Sequence, residues 1–208
     1  IKGYLELLMD DQMGELLPEQ RETLQMLCDR VDDIVTIVER TVALSPLQTL
    51  SLTYEKILVA DLLEDLVEVF RRRTTGSSVA IDLHPVDPAL YFYGDLEKIR
   101  QVCYNLVDNS VKFSPSGGRV SVEALADGAN VHLVIADQGI GIPQPHLTQI
   151  FETFYQIDGS STRRFGGLGL GLTVVNRVVA AHKGEIWVES EVGRGSIFHV
   201  LLPIQVPQ

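Results

Sequence analysis

The sequence predicts an α+β protein, a two-layer α/β sandwich preceded by an α-helical hairpin. Three observations support this class. Apolar residues repeat every three or four positions near the start of the chain, as in paired helices. Short runs that alternate apolar and polar residues follow, as in strands with one buried face. Longer runs with helical periodicity lie between those strands, which favours helices gathered on one face of a sheet.

The first element is a partial helical hairpin over residues 1–47. The stretch IKGYLELLMDD predicts the end of one helix, and Pro18 suits the first turn of the next. Leu17 stands where a capping Ser or Thr is usual, which predicts a weak helix start. A seam with coiled-coil spacing follows, and it consists of Leu24, Leu27, Val31, Ile34 and Val38. We expect this seam to form a homodimer through a four-helix bundle; packing against the rest of the chain is the alternative.

A connector, SPLQTLSL at residues 45–52, separates the hairpin from a second domain over residues 53–208. Periodicity, turn residues and cap residues predict the elements of that domain. In chain order they are a strand near 55–58, a helix over 60–73, strands near 79–84 and 90–93, and a helix capped by Asp95. A hairpin of strands at 119–126 and 130–136 around Asp127-Gly128 follows, then a helix over about 170–181 and a second hairpin of strands at 185–190 and 196–203.

Composition limits the possible partners. The chain has 208 residues, 45% hydrophobic composition and a formal net charge of −11. An acidic surface repels phosphates, which argues against nucleic acid or an anionic membrane as a partner. Cys28 and Cys103 fit no metal or redox spacing, which favours buried, reduced thiols in a cytoplasmic setting. No apolar run approaches the roughly 20 residues that span a bilayer.

Polar residues interrupt the helix that follows Asp95. In NLVDNSVKFSP, Asn105, Asn109 and Lys112 have the spacing i, i+4, i+7 and share one stripe beside the predicted core face. A solvated helix edge is the ordinary interpretation of such a stripe. Its position at the margin of the core also suits the wall of a cleft.

Two glycine-rich stretches indicate ligand contacts. In DQGIGIP, Asp137 ends a strand and can accept a hydrogen bond from the amino group of a flat ligand, although Asp-x-Gly is also ordinary turn chemistry. In RRFGGLGLGL, four glycines leave a loop nearly without side chains just before a helix. Such a loop exposes backbone N–H groups and the positive end of the helix dipole, which is typical of a phosphate site; a flexible loop is the alternative.

Taken in order, NLVDNSVKF, DQGIGIP, FETFYQ, GGLGLGL and GRGSIF resemble the N, G1, F, G2 and G3 boxes of sensor histidine kinases in two-component systems, within the GHKL (Bergerat-fold) ATPase superfamily. The resemblance runs from about Tyr54 to Pro203. It implies an ATP-binding domain that uses Mg-ATP to phosphorylate a protein histidine. A response regulator would then receive the phosphoryl group.

The resemblance also implies site residues. Asn109 is the implied Mg²⁺ ligand, Asn105 shares its polar face, and Lys112 reaches the ATP phosphates. Asp137 would accept the adenine amino group, with Gly139 and Gly141 letting the base approach the backbone.

The glycine-rich loop and its surroundings have implied roles as well. Its backbone would contact the nucleotide at Gly167, Leu168, Gly169, Leu170 and Gly171. Arg163 or Arg164, in the predicted ATP lid, would supply positive charge to the γ-phosphate, although a solvated basic pair is the alternative. Phe151 and Phe154 are expected to anchor the lid or to pack in the core.

The phosphoacceptor histidine of the family lies in a His-Glu/Asp-x-x-x-Pro context. None of the five histidines has this context, so we expect the acceptor upstream of Ile1 and ordinary surface or core roles for His84, His132, His146, His182 and His199. We expect no direct membrane contact from this segment, and any membrane anchor of the full-length protein would lie outside it.

Asn105 separates the candidate activities. Hydrolysing relatives place a water-activating Glu at this helix position, and an amide is a poor proton acceptor, so a kinase is favoured over an ATPase. The alternatives are another GHKL ATPase or a protein-serine kinase, and a non-catalytic dimerisation module regulated by nucleotide.

Overall fold

The computed structural model describes residues 17, 20, 23, 24, 27, 51–157 and 169–206. The chain forms two compact units, Ile1–Gln48 and Thr49–Gln208. Most of the predicted coiled-coil seam lies outside the described residues, so the hairpin and the homodimer stay predictions.

In the first unit, the described residues show how one helix begins. The Gln20 side chain reaches back and its Oε1 accepts the Leu17 N–H at 3.0 Å. The Gln20 N–H donates to the Leu17 carbonyl at 2.9 Å. This is one half of a capping box, and it compensates for the missing Ser or Thr at residue 17.

The second unit contains seven strands, three α-helices and two short 3-10 helices within the residues described. The strands are β1 (Glu55–Leu58), β2 (Val79–Leu83), β3 (Tyr91–Gly94), β4 (Gly118–Asp127), β5 (Asn130–Asp137), β6 (Glu185–Glu191) and β7 (Gly195–Pro203). The helices are α1 (Val59–Arg73), α2 (Leu96–Lys112) and α3 (Gly171–Ala181), with 3-10 turns at Gln144–His146 and Gln149–Phe151. Each predicted strand and helix of this unit is present within one or two residues of its predicted bounds.

Five strands form the main sheet in the order β2-β4-β5-β7-β6. Strand β2 runs parallel to β4, and the other neighbours are antiparallel. Strands β1 and β3 form a separate two-stranded antiparallel sheet. The predicted hairpins β4–β5 and β6–β7 are confirmed, whereas the two-sheet division was not predicted.

The hydrophobic core lies between the main sheet and the helices. Along β5, Val131, Leu133 and Ile135 are fully buried and alternate with partly exposed residues, so one face of the sheet is covered. On α2, the predicted core stripe is confirmed, since Ile99 and Leu106 are fully buried. The predicted two-layer α/β sandwich is therefore confirmed for this unit. In the part of the chain that the structure describes, no helix is long and apolar enough to cross a membrane.

Asp95 fixes the start of α2, as predicted. Its Oδ1 accepts the Lys98 N–H at 3.1 Å, and its Oδ2 accepts the Thr53 N–H at 3.0 Å. The Asp95 N–H donates to His182 Nε2 at 3.0 Å, and His182 Nδ1 donates to the Val178 carbonyl at 2.8 Å. One buried histidine at the end of α3 thus holds the beginning of α2.

Candidate functional site

The second half of α2 meets the N-terminus of α3. Asn105 is buried, and its Nδ2 donates to the Gln101 carbonyl at 2.9 Å. A Cβ atom added to Gly171 would lie 3.4 Å from Asn105 Oδ1 and 4.0 Å from Asn109 Nδ2. Asn105 and Asn109, which precede Gly171 by more than 60 positions, therefore place their side-chain amides beside the first turn of α3.

The N-terminus of α3 has no side-chain cap. Leu170 is the cap residue of this helix; it is buried, and its side chain makes no cap hydrogen bond. Gly169 has φ +68°, and a Cβ atom there would lie 2.6 Å from the Tyr155 carbonyl oxygen. Glycine is thus required where the loop turns into the helix. The first-turn N–H groups of a helix without a side-chain cap are suited to bind an anion.

Asp137 is the last residue of β5 and is buried close to Ser110 of α2. Its Oδ1 accepts the Gly139 N–H at 2.9 Å and the Ser196 N–H at 3.2 Å. Burial raises the pKa of the Asp137 carboxyl above its ordinary value, although these two N–H groups oppose the rise. The second oxygen, Oδ2, accepts neither of these two N–H groups, and a carboxylate oxygen can accept a hydrogen bond from a ligand amino group.

Both glycines of the DQGIGIP stretch are required by contacts within the protein. A Cβ atom at Gly139 would lie 2.2 Å from the Phe113 carbonyl oxygen, and one at Gly141 would lie 2.1 Å from the Glu191 carbonyl oxygen. Gly141 also has φ +70°. The loop is therefore clamped between the end of α2 and the β6–β7 turn. These contacts do not test the prediction that an adenine base approaches Gly139 and Gly141.

Lys112 ends α2 and is half-buried. Its Nζ lies 5.2 Å from the centre of the Phe113 ring, which is a cation–π distance. The predicted role toward phosphates stays a prediction.

The predicted lid is only partly described. Arg163, Arg164, Gly167 and Leu168 lie outside the described residues, so their roles stay predictions. The two lid phenylalanines differ. Phe151 packs against the hydrophobic core, whereas Phe154 is 63% exposed and has φ +63°.

Sequence reasoning missed Ser110. It lies one residue after Asn109 and is 1% exposed, and its hydroxyl lies beside the Asp137 carboxyl and lowers the pKa of that group. The signal was in the sequence, because Ser110 continues the core stripe of Ile99, Cys103 and Leu106 at helical spacing. A hydroxyl at a core position needs a partner.

Two other predictions can be compared with the structure. Cys103 is buried, and burial raises the pKa of its thiol to about 12, so the thiol is protonated and inert at neutral pH. Cys28 lies outside the described residues. His182 is a core histidine with both ring nitrogens hydrogen-bonded, as described above.

The fold and the site can now be compared with known proteins. The model of the histidine kinase-, DNA gyrase B- and HSP90-like ATPases matches residues 94–206, more than half of the chain. The chain belongs to this family. The resemblance to the ATP-binding domain of histidine kinases is thereby confirmed.

Individual relatives agree with this assignment. Sensor histidine kinase AruS of Pseudomonas aeruginosa is 36% identical over 206 residues, covering 95% of this chain and 20% of the relative. The crystal structure of full-length ShkA in complex with AMPPNP is 27% identical, with a TM-score of 0.80, and the match covers 99% of this chain and 43% of that chain. The histidine kinase ThkA, solved in complex with the response regulator protein TrrA, has a TM-score of 0.72 at 19% identity over 98% of this chain and 56% of that chain, which shows the fold alone.

Curated relatives are much longer than this chain. The chain spans between 11% and 37% of the length of three that it matches. The activities of these longer relatives can therefore only be proposed for this chain.

Proposed function

We propose that this chain is the catalytic region of a sensor histidine kinase, a transferase that binds Mg-ATP and passes the γ-phosphoryl group to a protein histidine. The observation that carries the proposal is the meeting of Asn105 and Asn109 with the uncapped N-terminus of α3. Amide oxygens suit a metal–phosphate complex, and helix N–H groups suit the phosphates themselves. Asp137 supplies the matching acceptor for the adenine end.

The donor set fits Mg²⁺. The Asn105 amide donates through Nδ2 to the helix backbone, so its oxygen is the atom nearest to Gly171. Asn109 would hold the ion through its amide oxygen, because a hard ion takes most of its remaining ligands from phosphates and water. When bound, Mg²⁺ neutralises charge on the transferring phosphates.

The chain's own groups would contribute position and charge. The first-turn N–H groups of α3, from Gly171 onward, would hold the phosphates, and Lys112, Arg163 and Arg164 would add positive charge. Asn105 occupies the position at which hydrolysing relatives carry a Glu. An amide does not activate water, which supports phosphoryl transfer over ATP hydrolysis.

The proposed partners follow from this activity. ThkA was solved with a response regulator, and we infer that a response regulator receives the phosphoryl group from the protein to which this chain belongs. We also infer a homodimer through the helical hairpin and a cytoplasmic site of action, where ATP is available. The acceptor histidine would be none of the five histidines of this chain.

Isothermal titration calorimetry with Mg-ATP tests the proposal. The parent chain is expected to bind, and Asn109→Ala is expected to weaken binding by roughly 10- to 100-fold, since a nucleotide-bound ion loses a ligand. Asn176→Ala is the matched control, because Asn176 is an exposed asparagine on α3. Its affinity should equal that of the parent.

Phosphate release separates kinase from ATPase. Incubation with Mg-ATP should release very little inorganic phosphate. Rapid steady hydrolysis would contradict the kinase assignment while leaving the nucleotide site intact. Absence of nucleotide binding by the parent chain would overturn both.

A further inference from the structure

Two histidines, a tryptophan and a glutamate meet on the face of the main sheet that points away from the core. His132 on β5 and His199 on β7 alternate with buried neighbours, so both side chains lie on this outer face. Trp187 on β6 lies directly opposite His199, and Glu189 follows two residues later on the same face. None of these four side chains belongs to the nucleotide site proposed above.

The two histidines bring one ring nitrogen each to the same point. His132 Nε2 and His199 Nδ1 are 3.1 Å apart. Two nitrogen ligands at metal-binding distance from one ion are about 2.9 Å apart at a right angle and about 3.3 Å apart at a tetrahedral angle. The observed separation lies between these two values. Both nitrogens can therefore bind one ion if the rings rotate, without a change in the backbone.

The neighbouring side chains orient the two rings. Trp187 stacks on His199 with ring centres 4.8 Å apart and planes 9° apart, and its ring lies 5.4 Å from that of His132. His199 Nε2 is buried without a hydrogen-bond partner, and Glu189 Oε1 lies 3.8 Å from it on an exposed side chain that can close this distance. A metal-binding histidine usually donates its other ring N–H to a carboxylate or carbonyl, which fixes the tautomer. With its proton on Nε2, towards Glu189, His199 presents the lone pair of Nδ1 on the side of His132.

We propose that His132 Nε2 and His199 Nδ1 form a binding site for a divalent transition-metal ion of the class that prefers imidazole, namely Ni²⁺, Cu²⁺ or Zn²⁺. Glu189 orients His199, and water fills the remaining positions around the ion. Mg²⁺ prefers oxygen ligands, so the ion of the nucleotide complex does not compete for this site. In the described part of the chain no group of three or more His, Cys, Asp or Glu side chains is placed to hold a metal ion. The site therefore has two protein ligands and a moderate affinity, and an ion bound there links β5 to β7.

Trp187 provides a direct probe, because it is the single tryptophan of the chain and stacks on His199. Ni²⁺ is paramagnetic and quenches the fluorescence of an indole that touches its ligands. Titration of the parent chain with NiCl₂, without nucleotide and in excess MgCl₂, is expected to quench Trp187 saturably with a micromolar dissociation constant. His132→Phe keeps an aromatic ring beside Trp187 but removes one ligand, so saturable quenching should disappear. Glu189→Gln should raise the dissociation constant about 10-fold, the usual effect of losing a carboxylate that orients a metal-binding histidine.

His84→Phe is the matched control, because His84 is an exposed histidine on a different strand end, outside this cluster. Its dissociation constant for Ni²⁺ should equal that of the parent. The inference is wrong if the parent chain shows no saturable quenching, and this measurement needs no variant. It is also wrong if His132→Phe, shown by circular dichroism to be folded, responds to Ni²⁺ as the parent does, since the ion would then bind elsewhere. Loss of the response in His84→Phe would overturn the assignment for the same reason.

Discussion

The two ends of helix α2 both hold buried polar side chains, and they differ in how those side chains are satisfied. At the N-terminal end, both Asp95 oxygens and both His182 ring nitrogens have hydrogen-bond partners in the protein. Beside the C-terminal end, Asp137 Oδ1 accepts two backbone N–H groups while Oδ2 accepts neither of them, and burial raises the pKa of the Asp137 carboxyl. The first end serves folding, whereas the second retains hydrogen-bonding capacity that a ligand can use.

The largest effect is expected at the satisfied end. His182→Leu removes the acceptor for the Asp95 N–H and the donor to the Val178 carbonyl, and leaves both groups buried. The free energy of unfolding should fall by about 2–3 kcal/mol, measured by urea denaturation. Nucleotide affinity of the folded variant should stay within about twofold of the parent, a change of less than about 0.5 kcal/mol.

His84→Leu is the matched control, because His84 is exposed and its side chain is not part of this network. Its stability should stay within about 0.5 kcal/mol of the parent. A His182→Leu variant that keeps full stability but loses nucleotide binding would reverse the comparison between the two ends.

At the other end of α2, stability and binding should change in opposite directions. Asp137→Asn keeps an oxygen for the N–H groups of Gly139 and Ser196 but removes the buried charge. Since the folded-state pKa of Asp137 is raised, its ionised form opposes folding at neutral pH, and the variant should melt at a higher temperature than the parent. Mg-ATP affinity should fall roughly 10- to 100-fold, because the amide presents donors to the adenine amino group.

The pH dependence of this difference provides its check. The unfavourable contribution of the ionised carboxylate is complete above the folded-state pKa and disappears as pH falls toward the ordinary value of 3.8. The stability advantage of Asp137→Asn should therefore shrink on acidification. A variant less stable than the parent at pH 7 would show that the charge stabilises the loop, contrary to this account.

Local features of the fold could be predicted because they depend on neighbouring residues. The Asp95 cap, the alternation along β5 and the turn at Gly128 all follow from spacings of a few positions. The parallel pairing of β2 with β4 and the separate β1–β3 sheet join distant segments, for which periodicity carries no information.

In the candidate site, too, local spacing predicts some features and tertiary packing determines the others. The shared face of Asn105 and Asn109 follows from helical spacing, but their meeting with Gly171 depends on tertiary packing. The sequence identifies Gly141 only as a turn glycine. Its close approach to the Glu191 carbonyl depends on the β6–β7 hairpin, which is distant in sequence. Ser110 escaped notice because a small residue in a core stripe usually serves packing, and its position beside Asp137 depends on how α2 packs against β5.

The smallest expected effect tests whether a buried polar side chain on the other face of the sheet also belongs to the site. His199 alternates along β7 with the buried residues Phe198 and Val200, and its Nε2 has no hydrogen-bond partner in the described part of the chain. His199 stacks on Trp187 with ring centres 4.8 Å apart, and its Nδ1 lies 3.1 Å from His132 Nε2. Burial, and then the proximity of His132, lower the pKa of His199 below 6.5, while Glu189 opposes this.

His199→Phe preserves the stacked ring and removes the titrating group. A histidine whose pKa is lowered in the folded state stays neutral while the unfolded chain takes up a proton, so the parent should lose stability as pH falls below about 6.5. The variant should lose less, by about 0.5 kcal/mol or under, in urea denaturation at pH 7.5 and 5.5. Mg-ATP affinity should be unchanged, because His199 lies on the face of the sheet opposite to its buried neighbours Phe198 and Val200. If His199→Phe weakens nucleotide binding as much as Asp137→Asn, the contrast with the satisfied end of α2 would no longer locate the site.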